Sequence, residues 1–331
     1  MITSRSRTSA NICKRQRQRK FIDAASTGKN VPLSKVDWLE RWCSLPFEDE
    51  TILKKIYELQ VRGDDVYVIT FPKSGTTWIQ EAAWLLCNNL DFDRANRDIL
   101  IPKRSVFLDY SGLYSSAPGN SVEQAEEAKS PRVLKTHLPA HLIPNEIWKK
   151  KAKIIYCARN PKDTAISYFH FLRGLGTWVG DQIDDFVEDI INNDIMYSPY
   201  WEHLMEFWQM RHEENIFFTT YEAMKRNLRK VLIELNHFLE KPQLSDKDLE
   251  KLEEHLSFKK MKGSPSTNLT FSVRNGHGSP HIRSDFEYMR RGIVGAFKDE
   301  LSHKTLSTLD NWTADNLKIY DVTLEDIFGT V

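Results

Sequence analysis

Residues 71–78, FPKSGTTW, constrain this chain more than any other feature. They follow an apolar run, VYVITF at residues 66–71, and open a stretch, 76–90, with one apolar face. A short β-branched and aromatic run fills a buried strand, and the periodicity after it is helical. Between the two, Gly75 lets the backbone approach an anion closely, Ser74, Thr76 and Thr77 add hydroxyl donors, and Lys73 adds a mobile positive charge. A helix N-terminus beyond a strand end offers unpaired N–H groups and the positive end of the helix dipole. The segment therefore reads as a P-loop-like phosphate-binding strand-loop-helix. It is not a nucleotide-triphosphatase loop, because GxxxxGK[ST] places Lys directly after the second Gly, whereas Lys73 precedes Gly75.

Three more short strand patterns follow at 132–136 (RVLKT), 153–158 (KIIYCA) and 216–219 (IFFT). Helical patterns begin at Pro161 and cover 183–192, 199–212, 228–239, 246–255 and 301–320. Strands separated by helices imply a parallel sheet with helices on both faces. The expected fold class is α/β, a single domain with a central parallel β-sheet flanked by helices, spanning residues 36–331. Residues 109–129 are expected as a surface loop with a short helix at 121–128, and 263–285 as a long loop that acts as a lid.

Charge divides the chain unevenly. Arg5, Arg7, Lys14, Arg15, Arg17, Arg19 and Lys20 all precede the first acidic residue, Asp23, so a net charge of zero splits into +7 in the tail and −7 in the rest. That body charge argues against general nucleic-acid binding, which needs a basic face. Residues 1–35 are expected as a basic, flexible N-terminal extension. Their Arg- and Ser-containing, acid-poor composition also fits a mitochondrial presequence or a nuclear localisation patch at 14–20. The four cysteines, Cys13, Cys43, Cys87 and Cys157, have no metal-ligand spacing, and as reduced thiols they favour a cytoplasmic location. No window approaches the roughly 18 consecutive apolar residues of a membrane span.

FPKSGTTW resembles the donor-binding loop of the cytosolic sulfotransferases. LKTHLP at 134–139, ARNPKDTAISYFHF at 158–171 and RRGIVG at 290–295 follow in the family's chain order, and the resemblance covers residues 37–312. It implies transfer of a sulfuryl group from 3'-phosphoadenylyl sulfate (PAPS), leaving PAP, to a hydroxyl or amine of a small acceptor such as a phenol, a steroid or another alcohol. Such transfer serves xenobiotic or hormone conjugation and uses no metal. In-line displacement at sulfur needs a base for the acceptor proton and cations where charge grows on the leaving phosphate. By resemblance His137 is the general base, and Lys73 and Lys135 are the cations. The donor lies on Lys73, Ser74, Gly75, Thr76, Thr77 and Trp78. Arg159 and Ser167, with Arg290, Arg291 and Gly292, grip its extra phosphate. Trp78, Phe258 and Tyr221 hold the adenine. Phe171 lines the acceptor pocket beside Lys135 and His137, with Phe107 as a neighbour.

Two stretches depart from the family pattern. Where family members read GxxGDWK, this chain has Ala296 and Phe297 between Gly295 and Lys298. The homodimer motif expected within residues 298–307 is altered, with Ser302-His303 and Ser307 in it. Two rival readings are a nucleotide-binding regulator without turnover and a kinase-like enzyme. Intact Lys73, His137 and Lys135 speak against the first; the position of Lys73 and the lack of a metal-binding acid pattern speak against the second.

Overall fold

The protein is described from a computed structural model at residues 1–6, 21–48, 50–97, 100–113, 120–275 and 281–330. Four strands, β4 (Val66–Ile69), β5 (Val133–Thr136), β6 (Lys153–Ala158) and β7 (Ile216–Thr220), form a parallel sheet in the order β5-β4-β6-β7. Successive side chains of a strand point to opposite faces, and the burial follows that period. Tyr67, Ile69, Leu134, Ile154 and Tyr156 enter one core, and Val66, Val68, Val133, Ile155 and Cys157 the other. Helices cover both faces, as a buried parallel sheet requires. Helix α1 (Thr76–Cys87) and α3 (Leu228–Phe238) pack on the second core through Ile79, Ala83, Leu86, Val231 and Leu235. Helix α2 (Pro161–Gly174) and α4 (His303–Lys318) pack on the first through Ile166, Phe169, Leu172, Leu309 and Leu317.

A second sheet takes in two segments of residues 1–35, the stretch expected as a flexible N-terminal extension. β1 (Ile2–Ser6), β2 (Ile22–Ser26) and β3 (Cys43–Leu45) pair antiparallel in that order. Phe21, Ile22, Ala24 and Ala25 are buried, and the first three join the same core as Tyr67 and Ile69. The alternation that marks a half-buried strand is absent from IDAAS because all five of its residues are buried. The basic run at 14–20 lies outside the described residues.

The expected surface loop at 109–129 begins with a fully buried Asp109, followed by short helices Tyr110–Leu113 and Ser121–Glu127; residues 114–119 lie outside the described residues. The expected lid loop contains a helix, Thr270–Asn275, and residues 276–280 lie outside the described residues. Among the described residues, no helix is long and apolar enough to cross a membrane.

Candidate active site

The carboxyl ends of β4, β5 and β6 open into one cavity of about 280 Å³. Ligands of open α/β sheets bind in that crevice. Of the residues singled out from the sequence, Lys73, Gly75, Thr76, Thr77, Trp78, Arg159, Ser167, Tyr221, Phe258, Arg290, Arg291, Gly292, Phe107, Lys135, His137 and Phe171 all line it. Ser74 does not. It is buried beneath the loop, and its carbonyl accepts from the Cys157 thiol at 3.2 Å.

The loop's shape follows from two left-handed residues, Lys73 at φ 69° and Gly75 at φ 92°. A Cβ on Gly75 would lie 2.8 Å from the Tyr221 ring, so this position needs glycine for space as well as for conformation. Gly75 caps α1 without a side-chain hydrogen bond, which leaves the first N–H groups of the helix facing the cleft. The Ser74 hydroxyl, the Trp78 indole N–H and the Arg159 Nε–H are buried and have no hydrogen-bond partner among the described residues. Buried polar groups are normally satisfied, so unused donors around a loop of this form fit a phosphate-bearing ligand.

Arg159, just beyond β6, donates to the carbonyls of Lys73 (3.3 Å) and Ile293 (3.1 Å) and stacks on Tyr221 at 4.4 Å. It thereby joins the loop to the segment that carries Arg290, Arg291 and Gly292. Trp78, Tyr221 and Phe258 sit together: Trp78 and Tyr221 meet edge-on at 5.4 Å, and the Lys225 ammonium lies between 5.0 and 5.8 Å from all three rings. Gly292, at φ 66°, runs so close to Phe258 that any side chain there would strike the ring.

His137 is buried, and its Nδ1 lies 2.8 Å from the Thr70 carbonyl. A carbonyl only accepts, so the proton sits on Nδ1 and Nε2 keeps its lone pair. Burial, reinforced by the Lys135 charge, holds the ring well below the ordinary histidine pKa, so it is neutral. Its main chain is held on both sides: the N–H donates to Asp109 at 2.8 Å, and the carbonyl accepts from His203 Nε2 at 3.0 Å. Asp109 also accepts from the Thr136 hydroxyl at 2.5 Å, and burial pushes its carboxyl up to about 6.

Two lysines flank the histidine. Burial, then the neighbouring charges of Lys135, Arg159 and Arg290, pulls Lys73 down to about 7. Burial pulls Lys135 down to about 8, with Asp109 opposing. Each ammonium lies over an aromatic face, Lys73 over Phe171 at 4.0 Å and Lys135 over Phe107 at 3.8 Å. Phe107 arrives there because residues 106–108 run beside β5, with Lys135 N–H donating to Val106 and Leu108 N–H to Lys135, at 2.8 and 2.9 Å. The same cavity is also lined by the apolar side chains of Leu113, Leu175, Met196, Leu269, Val273 and Met289.

The sequence reading missed several cavity residues and their supports. Lys225 was legible, since it lies one helical turn after Tyr221. Tyr288 bonds Thr77 through its hydroxyl at 3.2 Å, and Tyr197 stands against the His137 ring at 5.4 Å; neither belongs to a motif. Thr70 and Asp109 act on His137 from positions 67 and 28 residues away in the chain, and no local pattern marks them.

Comparison with known proteins agrees with this geometry. Residues 63–321 match the family described as Sulfotransferase domain. Bovine sulfotransferase 1E1 is 36% identical over 252 residues, covering 75% of this chain and 81% of the relative. The luciferin sulfotransferase of Photinus pyralis is 30% identical over 307 residues, covering 85% of this chain and 82% of the relative. A crystal structure of retinol dehydratase with retinol and PAP has the same fold, with a TM-score of 0.83 at 24% identity, covering 97% of this chain and 98% of that one. With strand, loop and helix disposed as that family requires, and with most of its length matched, the chain belongs to the sulfotransferase family and is a sulfotransferase.

Proposed function

We propose that the chain moves the sulfuryl group of PAPS to the hydroxyl, or amine, of a small, largely apolar acceptor, with His137 as general base. One observation carries the reading: a neutral imidazole whose Nδ1 proton is committed to Thr70, flanked by two lysines of lowered pKa, in a cavity lined by both the phosphate loop and apolar side chains. When bound, PAPS supplies the sulfuryl group. The loop N–H groups and hydroxyls hold the phosphate next to the sulfuryl group, and Arg159 and Ser167, with Arg290, Arg291 and Gly292, grip the extra one. Trp78, Tyr221 and Phe258 hold the adenine, with Lys225 beside the rings. The unpaired donors at Ser74, Trp78 and Arg159 support this placement.

His137 Nε2 takes the acceptor proton, and the Thr70 carbonyl stabilises the imidazolium that forms. Lys73 and Lys135 face the charge that grows on the leaving side, where fixed cations in a dry cleft act most strongly. The acceptor lies against Phe107 and Phe171, an apolar setting suited to phenols, steroids or other alcohols.

The test is sulfate transfer from labelled donor to a panel of phenols, steroids, catecholamines and long-chain alcohols, with His137→Ala alongside. Transfer to one class, abolished in the variant while PAP affinity stays nearly unchanged, is the expected outcome. Comparable turnover in His137→Ala would remove the histidine from the role of base.

A further inference from the structure

We infer that Glu300 is a positioning residue for the donor clamp, and that it sets the preference for a nucleotide carrying the second phosphate. The inference rests on the proposed donor site. Glu300 Oε1 accepts from Arg290 Nη1 at 2.6 Å and from Arg291 Nη1 at 3.3 Å, and Oε2 pairs with His170 Nε2 at 2.5 Å. One carboxylate thus gathers both arginines of the clamp and ties them to α2. His170 stands one helical turn after Ser167 on that helix, so Glu300 connects two parts of the phosphate site that are more than a hundred residues apart in the chain.

The geometry gives the carboxylate a direction to act in. A guanidinium carries five N–H donors in a rigid fork. With Nη1 of Arg290 engaged by Glu300, the remaining edge, without a partner among the described residues, can meet an anion in the cavity that Arg290 lines. Arg290 already sits near enough to Lys73 to help lower its pKa. Arg291 is held a second time by Asp299 at 2.6 Å, and α2 meets the same segment again at Asp163, which accepts from Gly295 N–H at 2.7 Å. These side chains are partly exposed, so the ion pair adds little stability of its own. Its effect lies in fixing a long arginine in one place before the ligand arrives.

The test compares the affinities of PAP and adenosine 5'-monophosphate for the wild type, Glu300→Ala and His170→Gln. Glu300→Ala should compress the PAP-to-monophosphate ratio by about tenfold, almost all of it through weaker PAP binding. His170→Gln, which frees one corner only, should shift the ratio less and in the same direction. Tighter PAP binding in Glu300→Ala would mean that the carboxylate competes with the phosphate, and would overturn the inference. An unchanged ratio, or an equal loss for both nucleotides, would also overturn it. Arg159→Ala separates this failure from that of the donor site: a ratio unmoved in that variant refutes the placement of the second phosphate itself.

Discussion

At the scale of single residues, the site is governed by the cost of burying charge. His137 is kept neutral by burial and by Lys135, which suits the proton-accepting role proposed for it. The same burial lowers Lys73 to about 7 and Lys135 to about 8 in the ligand-free cleft. Both are fully protonated only below those values, and an anion between them favours the charged forms. PAP binding should therefore take up protons near pH 8 and hardly any near pH 6, and affinity should fall as pH rises above about 7. Calorimetry in buffers of different ionisation enthalpy reads the uptake directly. A pH-independent affinity without proton uptake would place the bound phosphates away from both lysines.

At the scale of elements, the strand-loop-helix around Gly75 is the part of the site most visible in the sequence, because strand, turn and helix start are contiguous. β6 and the helix at Asp246–His255 have the bounds expected from their patterns. Helix α1 stops at Cys87, three residues short of the apolar pattern, because Asn89 and Leu90 turn left-handed. Gly75→Ala tests the loop as an element. The added methyl meets Tyr221 and a backbone at φ 92°, so stability should fall by about 1–2 kcal/mol and PAP affinity with it. Denaturant melts and PAP titration measure the two effects. Wild-type values for both would mean that the loop's conformation is not needed for phosphate.

At the scale of the whole molecule, two sheets share one core. Ser44, in the middle of β3, donates to the Ser198 carbonyl at 2.9 Å and accepts from Tyr197 N–H at 2.6 Å, and Tyr197 faces His137 in the cavity. The N-terminal sheet thus supports the cavity wall at Tyr197. Deleting residues 1–26 removes β1 and β2 with Phe21, Ile22, Ala24 and Ala25, and should lower Tm by at least about 5 °C. It should also raise the acceptor KM more than it weakens PAP, as thermal melts and steady-state kinetics will show. An unchanged Tm would mean that the two sheets do not share their stability. The α/β class, the parallel sheet and the contiguous phosphate loop are legible in the chain's local patterns, since periodicity and glycine chemistry act over a few neighbouring residues. The N-terminal sheet and the shell of Thr70, Asp109, Tyr197, Tyr288 and Glu300 emerge only on folding. Those residues act through contacts between distant parts of the chain, where burial and charge depend on what packs around a residue and not on its neighbours in sequence.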